Sequence, residues 1–229
     1  VPLANRYGEH DFLAACREGN LEAVNVFLSQ DDFDIDKHFP SKKSGIPIHG
    51  LFVAVLNGHA EVVQRLVSAG AKLNQTWKGY TPLLVATYAG HIDVIKILLN
   101  AKGIAVNQTL NDGATALMQA VQDGHVEIVR LLLSAEADPT LKWYFDGFFS
   151  KSPLTMARTQ WLCHLFSHDE RRKYSQIIAC LKQANCERKK QRRTSLLTPK
   201  NKDSAKVTTS PEGVAIEMTM LSLWSDSKE

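Results

Sequence analysis

The residues best equipped for chemistry are Cys163, His164 and His168. A thiol beside an imidazole is the pairing of a cysteine nucleophile and its base, yet adjacent residues on a helix point about 100° apart and do not face each other. His164 and His168 are better placed, because i and i+4 side chains share a helix face and can hold one metal ion such as zinc, with Cys163 or Asp169 as further ligands. The same stretch also reads as the start of a helix, with Ser167 or His168 ahead of Asp169 and Glu170, whose charges suit a helix N-terminus. That reading is preferred. Three more histidines, His59, His91 and His125, each follow a glycine at intervals of 32 and 34 residues. So spaced, they are separated by whole layers of structure and do not converge on one ion. With no phosphate-cradling glycine loop and no acyl-transfer nucleophile elbow, the sequence points away from an enzyme and calls for no cofactor.

Composition sets the frame for these residues. The chain has 229 residues, 44% hydrophobic and 22% charged, which is ordinary for a globular protein. No apolar run approaches the ~20 residues of a membrane span, and Val1–Arg6 has neither the basic patch nor the apolar stretch of a signal peptide. Cys16, Cys163, Cys180 and Cys186 are irregularly spaced, so no disulfide framework is expected and a reducing, cytoplasmic setting follows. Charge divides the chain. Residues 187–206 carry +6, from eight Lys and Arg against Glu187 and Asp203, residues 207–229 carry −3, and residues 1–186 are neutral. The long front part therefore has no charge excess to draw it to nucleic acid, whereas the basic stretch could meet phosphate, an acidic protein or a transport receptor.

The elements that must position these residues come from an internal repeat. Gly58-His59-Ala60-Glu61-Val62-Val63 aligns with Gly90-His91-Ile92-Asp93-Val94-Ile95 and Gly124-His125-Val126-Glu127-Ile128-Val129, with a looser copy at Gly19-Asn20-Leu21-Glu22-Ala23-Val24. Each continues into an aliphatic pair, and each glycine is preceded by a second apolar block at Leu13–Cys16, Leu51–Ala54, Leu83–Ala86 or Leu117–Ala120. The unit is helix, glycine break, helix. Val94, Ile95, Leu98 and Leu99 form one apolar stripe on a short helix. A single helix pair cannot cover such a stripe, so neighbours must stack into a solenoid.

The residues Gly79-Tyr80-Thr81-Pro82-Leu83, Ala86, Gly90-His91 and Leu98-Leu99 closely resemble the consensus of the ankyrin-repeat family. Repeat four keeps the register through Asp112-Gly113-Ala114-Thr115-Ala116-Leu117, Ala120, Gly124-His125 and Ala135-Glu136-Ala137-Asp138, without the proline. Repeat two has His49-Gly50-Leu51 in place of Thr-Pro-Leu, repeat one lacks that turn, and a fifth copy starts at Ser152-Pro153-Leu154 after an insertion. The implied fold is all-α: about five stacked helix-turn-helix repeats, a C-terminal capping helix and a disordered tail. The boundaries read as an N-terminal arm at 1–9, repeats at 10–43, 44–75, 76–108, 109–141 and, in part, 142–157, cap helices at 158–186, and a flexible tail at 187–229 containing an apolar motif at 214–224.

The resemblance implies that the three histidines make structural hydrogen bonds. Asn74 and Asn107, which end their units, are expected to satisfy turn backbone. It also implies a monomeric protein-interaction module or adaptor whose partner contacts lie on the turn tips and the end of each first helix. Those positions are Trp77, Lys78, Tyr80 and Tyr88 in repeat three, and Asn111, Asp112, Gln122 and Asp123 in repeat four, with Ala114 between them. Aromatic anchors beside an acidic strip suit a partner segment with an apolar side chain and a nearby Lys or Arg. The insertion Trp143-Tyr144-Phe145-Asp146-Gly147-Phe148-Phe149 reads either as a plug filling an apolar gap or as further contact surface through Phe148 and Phe149. Two alternatives stand beside this reading: a bacterial adaptor delivered into a host-cell cytosol, and a metal protein or enzyme using Cys163, His164 and His168. In the tail, Lys189-Lys190-Gln191-Arg192-Arg193 resembles a nuclear import signal, and Arg192-Arg193-Thr194-Ser195 resembles a basophilic-kinase site, where a phosphate on Ser195 would offset the adjacent positive charge.

Overall fold

The computed structural model describes residues 9–30, 32–40, 47–145, 149–164 and 167–195. The chain divides into two compact units, one ending at Val106 and one starting at Asn107. The first unit holds α1 (Glu9–Glu18), α2 (Leu21–Leu28), α3 (Gly50–Leu56), α4 (Ala60–Ser68), α5 (Pro82–Tyr88) and α6 (Ile92–Asn100), with a small antiparallel hairpin of β1 (Phe39–Pro40) and β2 (Pro47–Ile48) between α2 and α3.

Local chemistry sets the helix boundaries. Thr81 caps α5 by accepting a hydrogen bond from the Leu84 amide at 3.1 Å, and Pro82 follows at a position that needs no donor. In repeat two the place of that threonine is taken by His49, whose Nδ1 accepts from the Phe52 amide at 3.3 Å. The first helices end on a glycine in the left-handed region, at φ 76° for Gly58 and 71° for Gly90. Like elements then contact like elements: α1 meets α3 and α3 meets α5 in one row, and α2 meets α4 and α4 meets α6 in a second. The stripes Val62, Val63 and Leu66, and Val94, Ile95 and Leu98, are buried between the rows. Fully burying a side chain of this size stabilises by about 1.5–3 kcal/mol. At the start of the unit Phe12 packs against Phe27, Phe33 and Phe39 with ring centres 5.5, 4.7 and 6.0 Å away, so the divergent first repeat ends in an aromatic cluster.

The second unit contains α7 (Ala116–Gln122) and α8 (Val126–Ser134), then β3 (Trp143–Phe145) paired antiparallel with β4 (Phe149–Lys151), then α9 (Pro153–Cys163) and α10 (His168–Ser195). Thr115 caps α7, and Ser152 with Thr155 forms a capping box at α9. The longest helix, α10, lies against both α8 and α9 and buries Tyr174, Ile177 and Leu181. No described helix is long and apolar enough to cross a membrane.

Two boundaries differ from the sequence reading. The helix that begins the partial fifth copy runs past 157 to Cys163. The segment after Cys186, expected to be flexible, is helical to Ser195, because α10 continues two further turns anchored by Arg188, which meets Asp138 at 2.7 Å. The two short hairpins are the only strands among the described residues, and both lie in the links between helix pairs.

Candidate functional site

The turn tip of repeat three is a tight two-residue loop. The Trp77 amide donates to the Tyr80 carbonyl at 3.0 Å and the Tyr80 amide returns the bond to Trp77 at 2.9 Å. Between them Lys78 and Gly79 both adopt positive φ, 52° and 85°, as a tight hairpin turn of this hand requires. For lysine that conformation costs about 1–2 kcal/mol. The geometry corrects the expectation for the aromatic anchors. Trp77 is 2% exposed and Tyr80 6%; the Trp77 indole turns inward and packs on Phe52 of the preceding repeat, ring centres 5.4 Å apart. The Lys78 ammonium sits 4.5 Å from the centre of the Trp77 ring. Lys78 and Tyr88, the last residue of α5, are both half-buried.

In the second unit Asn111 and Asp123 are exposed, and Asp123 accepts a 2.8 Å bond from Gln119 Nε2. Gln122 is half-buried, and its main-chain carbonyl is taken by the Tyr174 hydroxyl at 2.9 Å. Asp112, expected as a partner contact, already serves the fold. Its carboxylate accepts from the Ala114 amide at 3.0 Å and from Trp143 Nε1 at 2.8 Å, while its carbonyl accepts from the Tyr144 amide at 3.0 Å. Ala114 itself is buried. The aromatic insertion thus divides: Trp143, 5% exposed, is the plug, and Tyr144, 52% exposed, faces solvent. Phe148 and the side chain of Phe149 lie outside the described residues.

The chemical-looking cluster separates. Cys163 is the exposed last residue of α9, and the His164 ring stacks on Tyr174 with centres 5.7 Å apart. His168 opens α10, where Ser167 Oγ accepts from the Glu170 amide at 3.4 Å, so the helix-start reading is the observed one. Among the described residues no group of three metal-ligating side chains converges.

Two of the recurring histidines, His59 and His91, reach across layers. The Nε2 of His59 bonds the Arg17 carbonyl at 2.7 Å, and that of His91 bonds the Leu56 carbonyl at 3.2 Å, in each case the residue two before the preceding repeat's glycine. Each ring lies so close over that glycine that a Cβ there would come within 2.5 Å of His59 at Gly19 or 2.7 Å of His91 at Gly58. In the second unit Tyr174 of α10 takes this part: its hydroxyl bonds the carbonyl of Gln122, two before Gly124, and would lie 3.3 Å from a Cβ on that glycine. Burial, with Glu170 and Asp123 nearby, pushes the Tyr174 hydroxyl up to about 12.

A second series runs along the unit ends. The carboxylate of Asp36 accepts from the Lys72 amide at 2.9 Å. Asn74 bridges the Gly103 carbonyl and the Ala105 amide at 2.7 and 2.9 Å, and Asn107 bridges the Glu136 carbonyl and the Asp138 amide at 3.4 and 2.6 Å. Both asparagines therefore satisfy the backbone of the following unit end, a sharper role than the turn bonding expected of them. Arg188 completes the series by meeting Asp138. Sequence reasoning missed Tyr174 and Arg188, since a capping helix shares no register with the repeats.

His49 is 1% exposed. Burial, with His38 beside it, pushes its imidazole down to about 4, partly opposed by Asp36 and the Gln75 backbone, which keeps Nδ1 able to accept the Phe52 amide. Burial likewise raises the Cys16 thiol well above its usual range, leaving it an inert core residue.

With this geometry in place, the comparisons with known proteins agree. A family model described as ankyrin repeats, three copies, matches residues 51–142. The chain is 34% identical over 90 residues to mouse protein phosphatase 1 regulatory subunit 27, a match covering 39% of this chain and 55% of that protein. To the human protein of the same name it is 33% identical over 103 residues, covering 44% of this chain and 63% of that one. Mouse protein fem-1 homolog A-like is 31% identical over 99 residues, 43% of this chain and 14% of that protein. The chain thus spans little more than half the length of the first of these relatives. The repeat pattern, the helix pairs with their cross-layer bonds and the matched family model agree that residues 51–142 carry ankyrin repeats.

Proposed function

We propose that the chain is a non-enzymatic adaptor that binds a protein partner through its repeat surface, with Lys78 and Tyr88 as the contact residues of repeat three and Asn111, Gln122 and Asp123 as those of repeat four. The observation that carries this reading is the conformation of Lys78. A lysine is held in a left-handed turn that glycine or asparagine would occupy at less cost, and strain of this kind is characteristic of functional positions. The buried Trp77 and Tyr80 support the turn from beneath, and Asp112 holds the insertion. The family's usual role as a binding module and the regulatory-subunit name of two relatives favour an adaptor over an enzyme. The partner fitted by the repeat-three contacts has an apolar side chain to lie on Tyr88 and a carboxylate or carbonyl to meet Lys78; in the second unit, taken by itself, Asp123 suits a basic residue.

Titration of labelled wild-type chain with the protein phosphatase 1 catalytic subunit, beside proteomic capture from lysate, tests the reading. Tyr88→Ala with Lys78→Glu should weaken whichever complex forms by about tenfold or more, with an unchanged urea midpoint. Trp77→Ala should instead lower stability by about 3–5 kcal/mol. Equal loss of folding from Tyr88→Ala would make that residue core, and unchanged capture by the double variant would remove the proposed surface.

A further inference from the structure

Within the second unit charge is segregated. Residues 107–152 carry six acids against three Lys and Arg, whereas residues 153–192, which hold α9 and most of α10, carry nine Lys and Arg against Asp169, Glu170 and Glu187. One of these cations sits in a built arrangement. Trp161 Nε1 donates to Ser175 Oγ at 3.1 Å, and that hydroxyl donates in turn to the Arg171 carbonyl at 2.7 Å. The indole fixed in this way holds the Arg171 guanidinium 4.7 Å from its ring centre. Arg171 is half-buried and forms no ion pair among the described residues. A guanidinium ordered without a carboxylate is prepared for an external anion, because less side-chain freedom remains to be lost on binding. At about 100° per residue, Arg172, Lys182 and Lys189 share an arc of about 100° with Arg171, on the side of α10 away from the buried Tyr174, Ile177 and Leu181. These three are exposed and likewise unpaired among the described residues. From Arg171 to Lys189 the row runs about 27 Å along the axis.

We infer that this row of Arg171, Arg172, Lys182 and Lys189 is a docking site for the phosphate backbone of double-stranded nucleic acid, bound without regard to sequence. A duplex presents one negative charge per about 1.7 Å of its axis, so a rigid row of cations about 27 Å long faces phosphates along its whole length. The planar fork of Arg171 suits a two-point phosphate contact. Neutralising phosphates releases condensed counterions, a gain that an acidic peptide does not supply when it meets the same cations as separate exposed ion pairs, each worth little. Trp161 is half-buried and committed to Arg171 and Ser175, so it is not a free platform for unpaired bases. Leu162, beside it in the chain and 55% exposed, is a single aliphatic group against the several that hold an amphipathic helix in a bilayer. Contacts made to phosphate alone position a duplex and carry no sequence information. The repeat surface takes no part in this binding, and the failure of either reading leaves the other standing.

Fluorescence anisotropy of a labelled duplex of about 20 base pairs and mixed sequence, titrated with the full chain from about 0.05 to 0.25 M salt, tests the inference. The logarithm of the binding constant should fall with the logarithm of salt concentration at a slope of about −3 to −4, as four phosphate contacts require. Arg171→Glu with Lys182→Glu and Lys189→Glu should weaken binding by about tenfold or more and flatten the slope toward about −1, with an unchanged urea midpoint. Lys182→Glu with Lys189→Glu, which leaves the Trp161 arrangement intact, should act in the same direction and serves if the triple variant melts early. Lys200→Glu with Lys202→Glu and Lys206→Glu should change binding by less than about threefold. A loss from this last variant as large as that from the α10 variants, or a salt slope near zero, would overturn the inference. Tighter binding to phosphatidylserine vesicles or to a polyglutamate peptide than to the duplex would overturn it as well, giving the face to lipid or to an acidic protein.

Discussion

The two units solve the same problem with different residues. In the first, the gap over two first-helix glycines is closed by the next repeat's imidazole, His59 over Gly19 and His91 over Gly58. In the second, the ring over Gly124 is a phenol from the capping helix, and Tyr174 bonds the equivalent carbonyl, that of Gln122. The position requires a flat ring with one donor at its edge, and either a repeat or a cap can supply it. The fit differs as well: a Cβ would meet the imidazole at 2.7 Å over Gly58 but the phenol only at 3.3 Å over Gly124.

That difference can be broken most sharply at the glycines. Gly58→Ala combines a left-handed φ of 76° with a ring that must move, and should cost about 3–5 kcal/mol in urea unfolding. Gly70→Ala has a φ of 89° but nothing within 4 Å, so only the backbone term of about 1–2 kcal/mol should remain. Equal losses would show that the imidazole does not press on the glycine.

Next in size is the acid sensitivity of the first unit. His49 must be neutral to cap α3, and its pKa in the folded chain is about 4, below the ordinary 6.5. Its contribution is therefore complete above about pH 6.5 and is lost as pH falls toward 4, up to about 3 kcal/mol. Thermal melts of wild type and His49→Thr should converge or cross over that window, since threonine caps without titrating. Parallel melting curves from pH 7 to 4 would contradict the assigned role.

The smallest effect belongs to the phenol. Tyr174→Phe keeps the ring and removes one hydrogen bond, with an expected loss of about 1 kcal/mol by urea unfolding. A loss below measurement would leave the stacked rings of Tyr174 and His164, and not the bond to Gln122, as the cap's contribution.

Most of the stack could be read from the sequence because the middle repeats carry the same residues at nearly the same spacing: Gly58-His59, Gly90-His91, the helix stripes and the terminal asparagines. What escaped reading depends on partners without a register. Trp77 turns inward because Phe52, twenty-five residues earlier, offers a ring, and no local pattern announces that pairing. Asp112 is occupied because an insertion returns Trp143 to it. The helical continuation to Ser195 was hidden by its composition, since a strongly basic run reads as solvated chain until Arg188 finds Asp138.

The account rests most on the imidazoles that tie repeats two and three to the repeat before. Nitrogen-15 NMR of the His59 and His91 side chains tests this directly. The account predicts Nε2–H tautomers whose protons exchange slowly with water and show dipolar contacts to Arg17 and Leu56 respectively. Rapidly exchanging Nε2 protons, or rings in the Nδ1–H form with no contact to those residues, would contradict it.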